Sequence, residues 1–173
     1  MANTYSQINI HSVFAVKGRE NTITKSYRDD LHKYMSGILR EDGSFPLAVG
    51  GWKDHVHVFF EMKVTMAVSK QMQMLKATSS KWNNDNQLIK GKFQWQACLP
   101  KGSSARRQEG YGAFSYSKSD LPNVIQYIKN QEEHHKKRSF IEEYEDLLKE
   151  FEIDYDERFV FKPVDYIVPD GTS

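Results

Sequence analysis

Cysteine is nearly absent: Cys98 is the only one in 173 residues. That excludes an internal disulfide and any zinc site built from several cysteines. Long apolar runs are missing as well. The longest are far too short to span a bilayer, and the opening MANTYSQINI lacks the basic-then-apolar layout of a secretion signal. The expected location is therefore the cytoplasm, with no membrane partner. Net charge is slight, at +1, which at first sight argues against a polyanionic ligand. No repeat, low-complexity tract or linker divides the chain.

What is present is ordinary for a soluble domain, with 39% hydrophobic and 27% charged residues. The charge, however, is unevenly spread. Residues 141–157 (IEEYEDLLKEFEIDYDE) hold nine of the 23 acids and one of the 24 bases, leaving 23 bases against 14 acids, or +9, on the rest. A positive body beside an acidic helix permits a polyanion on one face. It is equally what a solvated acidic helix beside a lysine-rich surface would give.

Hydrophobic periodicity supplies the fold class. Alternation from Tyr5 to Val16 reads as a strand with Ile8, Ile10, Phe14 and Val16 on one face. Tyr27, Leu31, Tyr34, Met35 and Ile38 fall at helical spacing, and Gly43 is a natural stop. Pro46 to Trp52 and HVHVFF at 55–60 form a hairpin about a turn at 52–54. Thr65 can cap a helix carrying Val68, Met72, Leu75 and Trp82. FQWQ at 93–96 reads as a short strand, and GAFSYS at 112–117 as its continuation or neighbour. LPKGSSARRQEG, at 99–110, is polar and rich in small residues, as an exposed loop would be. Ser119 or Asp120 starts a helix with Pro122 in its first turn and Leu121, Val124, Ile125 and Ile128 along one stripe. Ser139 with Glu142 is a capping box for a last helix burying Phe140, Tyr144, Leu147, Leu148 and Phe151.

The order β-α-β-β-α-β predicts an α+β, ferredoxin-like split β-α-β fold. An antiparallel sheet carries helices on one face, followed by two further C-terminal helices. One domain covers 1–158, with a loop insertion at about 97–109. An extended tail follows at 159–173.

Two pairs of residues stand out chemically. His55 and His57 are two apart on a strand, so both imidazoles leave one face while Val56 and Val58 leave the other. Paired neutral imidazoles suit a divalent cation, although His-x-His also arises by chance on surface strands. Tyr127 and Gln131 are four apart, one helical turn, at the border of the apolar stripe. Gln131 offers a carbonyl oxygen and Tyr127 a phenol. Without other pointers they read as a boundary tyrosine and a solvated glutamine.

Taken together, the blocks resemble the single-tyrosine transposases of bacterial insertion sequences, members of the HUH nuclease superfamily. The resemblance rests on HSVFAV at 11–16, DHVH at 54–57, FQWQ at 93–96, GYGAFS at 110–115 and YIKNQEEHH at 127–135. In relatives the Trp-Gln strand runs almost directly into Gly-Tyr-Gly-Ala-Phe. Here Ala97 to Glu109 intervenes, with Lys101, Arg106 and Arg107.

The resemblance implies Mg²⁺ or Mn²⁺ held by His55, His57 and Gln131, with Tyr127 as nucleophile. The reaction implied is cleavage and rejoining of single-stranded DNA through a 5′-phosphotyrosine, on element ends bearing hairpins, with no nucleotide cofactor. It also implies a homodimer whose active sites are shared between subunits. Arg19, Arg106, Arg107, Lys136, Lys137 and Arg138 are candidate DNA contacts. His134 and His135 are expected to serve the helix end or the DNA rather than the metal. Other readings are a non-catalytic nucleic-acid-binding module of the same fold, a small metal-dependent hydrolase with a structural tyrosine, and a host relative acting on repeated palindromes.

Overall fold

In a computed structural model, residues 4–96 and 110–155 are described. Among the described residues, four strands and five α-helices follow in order as β1 (Asn9–Ala15), α1 (Lys25–Glu41), β2 (Phe45–Gly51), β3 (His55–Glu61), α2 (Val68–Asp85), β4 (Gly112–Tyr116), α3 (Leu121–Lys129), α4 (Gln131–His134) and α5 (Phe140–Glu150). The sheet order is β2-β3-β1-β4 and every pairing is antiparallel. This is the split β-α-β topology that the element order predicts.

Alternation in β1 and β3 divides the sheet into two faces. Ile10, Phe14, Val56, Val58 and Phe60 join Tyr27, Leu31, Met35 and Ile38 of α1 and Met72 and Leu75 of α2 in the main core. Ile8 lies outside the strand and is partly exposed. The opposite face is covered by the later helices. Val13, Ala15 and Phe114 pack on Phe140, Tyr144, Leu147 and Leu148 of α5, while Ala48 and Phe59 pack on Val124 and Ile128 of α3. Burying side chains of this size stabilises by roughly 1.5–3 kcal/mol each.

The helix ends follow the sequence signals closely. Gly43, at φ +85°, stops α1; its N–H bonds the Arg40 carbonyl and the Ser44 N–H bonds the Leu39 carbonyl. That left-handed turn satisfies two carbonyls and favours glycine. The Ser139–Glu142 capping box forms as expected, with the Glu142 N–H donating to Ser139 Oγ at 3.3 Å and the Ser139 N–H to Glu142 Oε2 at 2.9 Å.

Three expectations are corrected. Thr65 caps nothing: the Met66 N–H closes a turn on the Lys63 carbonyl, and α2 starts only after Ala67. FQWQ forms a single bridge, Val16 to Trp95, rather than a full strand. The segment nevertheless continues the line of β4 along β1, because Trp95 pairs at Val16 and Gly112 at Val13. The stretch from Tyr127 to Gln131 is also not one helix. It breaks at Asn130 (φ −95°, ψ 19°), so α3 ends at Lys129 and α4 begins at Gln131. The 97–109 insertion and the 159–173 tail lie outside the described residues.

Candidate functional site

The site lies on the sheet face opposite α1 and α2. β3 contributes His55 and His57, both fully buried, while β1 contributes His11 beside them. The strand register sets Val13 opposite His57 and Ala15 opposite His55. These small and β-branched residues leave room for the imidazoles beneath α4 and α5.

Each ring is held by a second group. Asp54 Oδ1 lies 2.7 Å from His55 Nδ1, and His11 Nε2 lies 2.8 Å from His57 Nδ1. Such contacts fix ring orientation and leave the opposite nitrogen aimed at the centre of the site. Phe140 stacks on His55 with centroids 4.1 Å apart.

Gln131 is brought in by the break at Asn130 and is buried, with its Oε1 3.2 Å from His55 Nε2 and 2.9 Å from His135 Nε2. Tyr127 is half-buried. Its ring meets that of His57 edge-on at 5.6 Å, and that of His134 at 5.4 Å. All four residues expected at the site, Tyr127, His55, His57 and Gln131, therefore converge within one chain. The sharing of sites between subunits is not needed to bring the phenol beside the imidazoles.

Sequence reasoning missed Glu143. The carboxylate descends from the first turn of α5, with Oε1 2.6 Å from His57 Nε2 and Oε2 2.9 Å from the Nε2 atoms of both His134 and His135. The acidic segment is thus not wholly solvated. A signal existed, because position 143 falls on the same helical stripe as Phe140, Leu147 and Phe151, where a carboxylate must find polar partners. His134 and His135, expected at the helix end or the DNA, instead turn inward onto that carboxylate.

The electrostatics follow from burial around one anion. Burial opposes ionisation of Glu143, but the surrounding imidazoles, His57 foremost, hold its carboxyl well below the usual carboxylate range. Burial pulls His11 and His57 below the ordinary imidazole value, His57 against the opposing effect of Glu143. His135 shifts upward: burial works against its charged form, and Glu143 outweighs it. The two shifts agree in direction: an ionised Glu143 lies beside a His135 that holds its proton more tightly than a free imidazole. The Tyr127 phenol is pushed far up, first by burial and then by the Glu143 charge.

His55, His135 and Glu143 each present a ligand atom within 4.8 Å of the other two, a cluster that could hold a metal ion. The buried polar atoms fit that role. His57 Nε2, His134 Nε2 and both Glu143 oxygens make no aligned hydrogen bond despite their close approach. These atoms converge, as ligand atoms would about a cation.

Outside the centre, a cleft of about 500 Å³ opens beside Tyr127, lined by Asn123, Gln126, Asn130, Glu133, Lys137 and Arg138 among others. Two of the candidate DNA contacts, Lys137 and Arg138, stand on its wall. Arg138 also pairs with Asp146 at 2.5 Å, and Lys136 pairs with Glu133 at 2.6 Å, both on the surface. Arg19 ends a short 3-10 turn after β1. Arg106 and Arg107 lie outside the described residues.

Residues 4–131 match the family described as transposase IS200 like. The chain belongs to the IS200-like transposases. That match spans every strand and ends at Gln131, so His134, His135 and Glu143 lie beyond it. Two solved structures show the same fold. One is a Deinococcus radiodurans protein assigned provisionally as a transposase, 18% identical, covering 76% of this chain and 95% of its own, with a TM-score of 0.54. The other is a REP-associated tyrosine transposase bound to a REP hairpin, 12% identical, covering 78% and 73%, with a TM-score of 0.52. No curated protein matches the sequence. Among the described residues no helix of this transposase is long and apolar enough to cross a membrane.

Proposed function

We propose that this IS200-like transposase cleaves and rejoins single-stranded DNA through a covalent bond to Tyr127, assisted by a divalent cation. The observation that carries the reading is the meeting of Tyr127 with His57 in a buried cluster of imidazoles, carboxamide and carboxylate. A structural tyrosine would need no such neighbours.

His55, His57 and Gln131 would hold Mg²⁺ or Mn²⁺. When bound, the ion polarises the scissile phosphate and offsets charge developing on its oxygens. Tyr127 Oη attacks phosphorus in line. The bond from phosphorus to O3′ breaks, leaving a 3′-hydroxyl on one fragment and a 5′-phosphotyrosine on the other. A second 3′-hydroxyl then attacks the phosphotyrosine and returns the phenolate, so no nucleotide cofactor is consumed. Tyr127 must first lose a proton that burial and Glu143 help it keep, and cationic charge in the site favours that loss.

Hairpin-bearing single strands are the proposed substrate, in keeping with the REP hairpin bound by the structural relative. The cleft beside Tyr127 suits the strand approaching the scissile phosphate, with Lys137 and Arg138 positioned for backbone contacts. A homodimer is proposed with sites complete in each subunit, supported by the intrachain approach of Tyr127 to His57. Mixed dimers of Tyr127→Phe and His57→Ala chains then recover no cleavage.

The direct test is strand cleavage of hairpin DNA by wild type and Tyr127→Phe, each with and without Mn²⁺. Cleavage is expected only with both phenol and cation. Undiminished cleavage by Tyr127→Phe overturns the proposal.

A further inference from the structure

Two oxygens fix the hydrogen positions on His55 and His135 at the centre of the site. Asp54 Oδ1 stands 2.7 Å from His55 Nδ1, and the Arg138 carbonyl oxygen stands 2.9 Å from His135 Nδ1. Both oxygens accept, so both Nδ1 atoms carry the hydrogen. In the neutral rings each Nε2 then presents a lone pair.

Those lone pairs face the Gln131 carboxamide and the Glu143 carboxylate. His55 Nε2 is 3.2 Å from Gln131 Oε1, while His135 Nε2 is 2.9 Å from that oxygen and 2.9 Å from Glu143 Oε2. His57 Nε2 faces Glu143 Oε1 at 2.6 Å. Acceptors packed against acceptors in a buried site repel unless positive charge lies between them. A proton on His135 serves only that ring's own contacts; one divalent ion serves the ligand atoms of His55, His135 and Glu143 together, which lie within 4.8 Å of one another. Octahedral ligands on bonds of about 2.1 Å stand about 3 Å from their neighbours, close to most of these separations.

We infer that the metal centre of this transposase is completed by His135 and Glu143, joining His55, His57 and Gln131, so that α5 forms part of the cation site. The inference rests on the metal dependence proposed above and adds two ligands from outside the family-matched residues. The capping box supplies the rigidity, since it fixes the first turn of α5 and so the height of Glu143, the next residue along. Phe140, stacked on His55, seats the same turn from the other side. A nitrogen-rich set carrying one carboxylate favours a transition ion over Mg²⁺. Mn²⁺ is therefore the probe.

The test is Mn²⁺ titration by calorimetry of the full chain, as wild type, Tyr127→Phe and Glu143→Gln, with near-ultraviolet circular dichroism to check the fold. Wild type and Tyr127→Phe are expected to bind alike, and Glu143→Gln at least tenfold more weakly. If Glu143→Gln does not fold, His135→Asn carries the same test and the same expectation. Wild type that binds Mn²⁺ while the folded variant binds it equally well or better overturns this inference alone, leaving the proposed function standing. Wild type that binds no Mn²⁺ overturns both the inference and the metal dependence beneath it.

Discussion

A side chain at Gly50 would stand 2.4 Å from the backbone carbonyl oxygen of Ile128. β2 is therefore pressed against the backbone of the helix that carries Tyr127, with no space for a methyl group between them. Gly50 also pairs with His57 across the sheet. One glycine thus sets the separation between the tyrosine helix and the histidine strand.

Gly50→Ala should push α3 outward. Overpacking of this kind costs roughly 1–3 kcal/mol, and displacing a reacting group by about 1 Å can cost about 100-fold in rate. The expected variant is folded, melts lower, and has strand cleavage reduced far more than DNA binding. Parallel cleavage and fluorescence-anisotropy measurements check this, and an equal loss in both would contradict it.

Asp54 acts on the site through His55. Its carboxylate accepts from Nδ1 and keeps Nε2 free of hydrogen. Asp54→Asn weakens that acceptor and allows the ring to turn or change tautomer. Losing such a partner typically lowers metal affinity about 10- to 100-fold. Calorimetric titration with Mn²⁺ should show a drop in that range, and unchanged affinity would sink the orienting role.

His32 gives stability a pH dependence of its own. Burial, reinforced by Arg28, pulls its value from the ordinary 6.5 down to about 4. The folded chain thus refuses a proton that the unfolded chain accepts. The contribution of the neutral ring is whole above about pH 6.5 and is lost progressively as pH falls to about 4, on the order of 2 kcal/mol across that window. Urea midpoints of His32→Gln should fall less between pH 7 and 4.5 than those of wild type. Parallel curves for the two proteins would rule out His32 as a source of the loss.

Much of this was readable from periodicity and caps. The two-residue period that sends His55 and His57 to one face is a property of any strand, and Gly43 and the Ser139 capping box act within a few residues of themselves. Tyr127 and Gln131 were legible as a pair because one turn separates them, although the break at Asn130, marked by neither glycine nor proline, was not. Glu143 was hidden by its company. Among so many acids it looked solvated, and only its place on the stripe of Phe140 and Leu147 set it apart. The inward turn of His135 depends on α5 folding back over β3, a long-range contact that local pattern does not encode.

The central claim, a covalent bond between this chain and DNA, is tested most directly by mass spectrometry of the protein after incubation with hairpin-bearing single-stranded DNA and Mn²⁺. A denaturation-resistant adduct is expected, with the 5′-phosphate of the cleaved strand on the peptide containing Tyr127. Cleaved DNA without any adduct, or an adduct on another residue, would contradict the account.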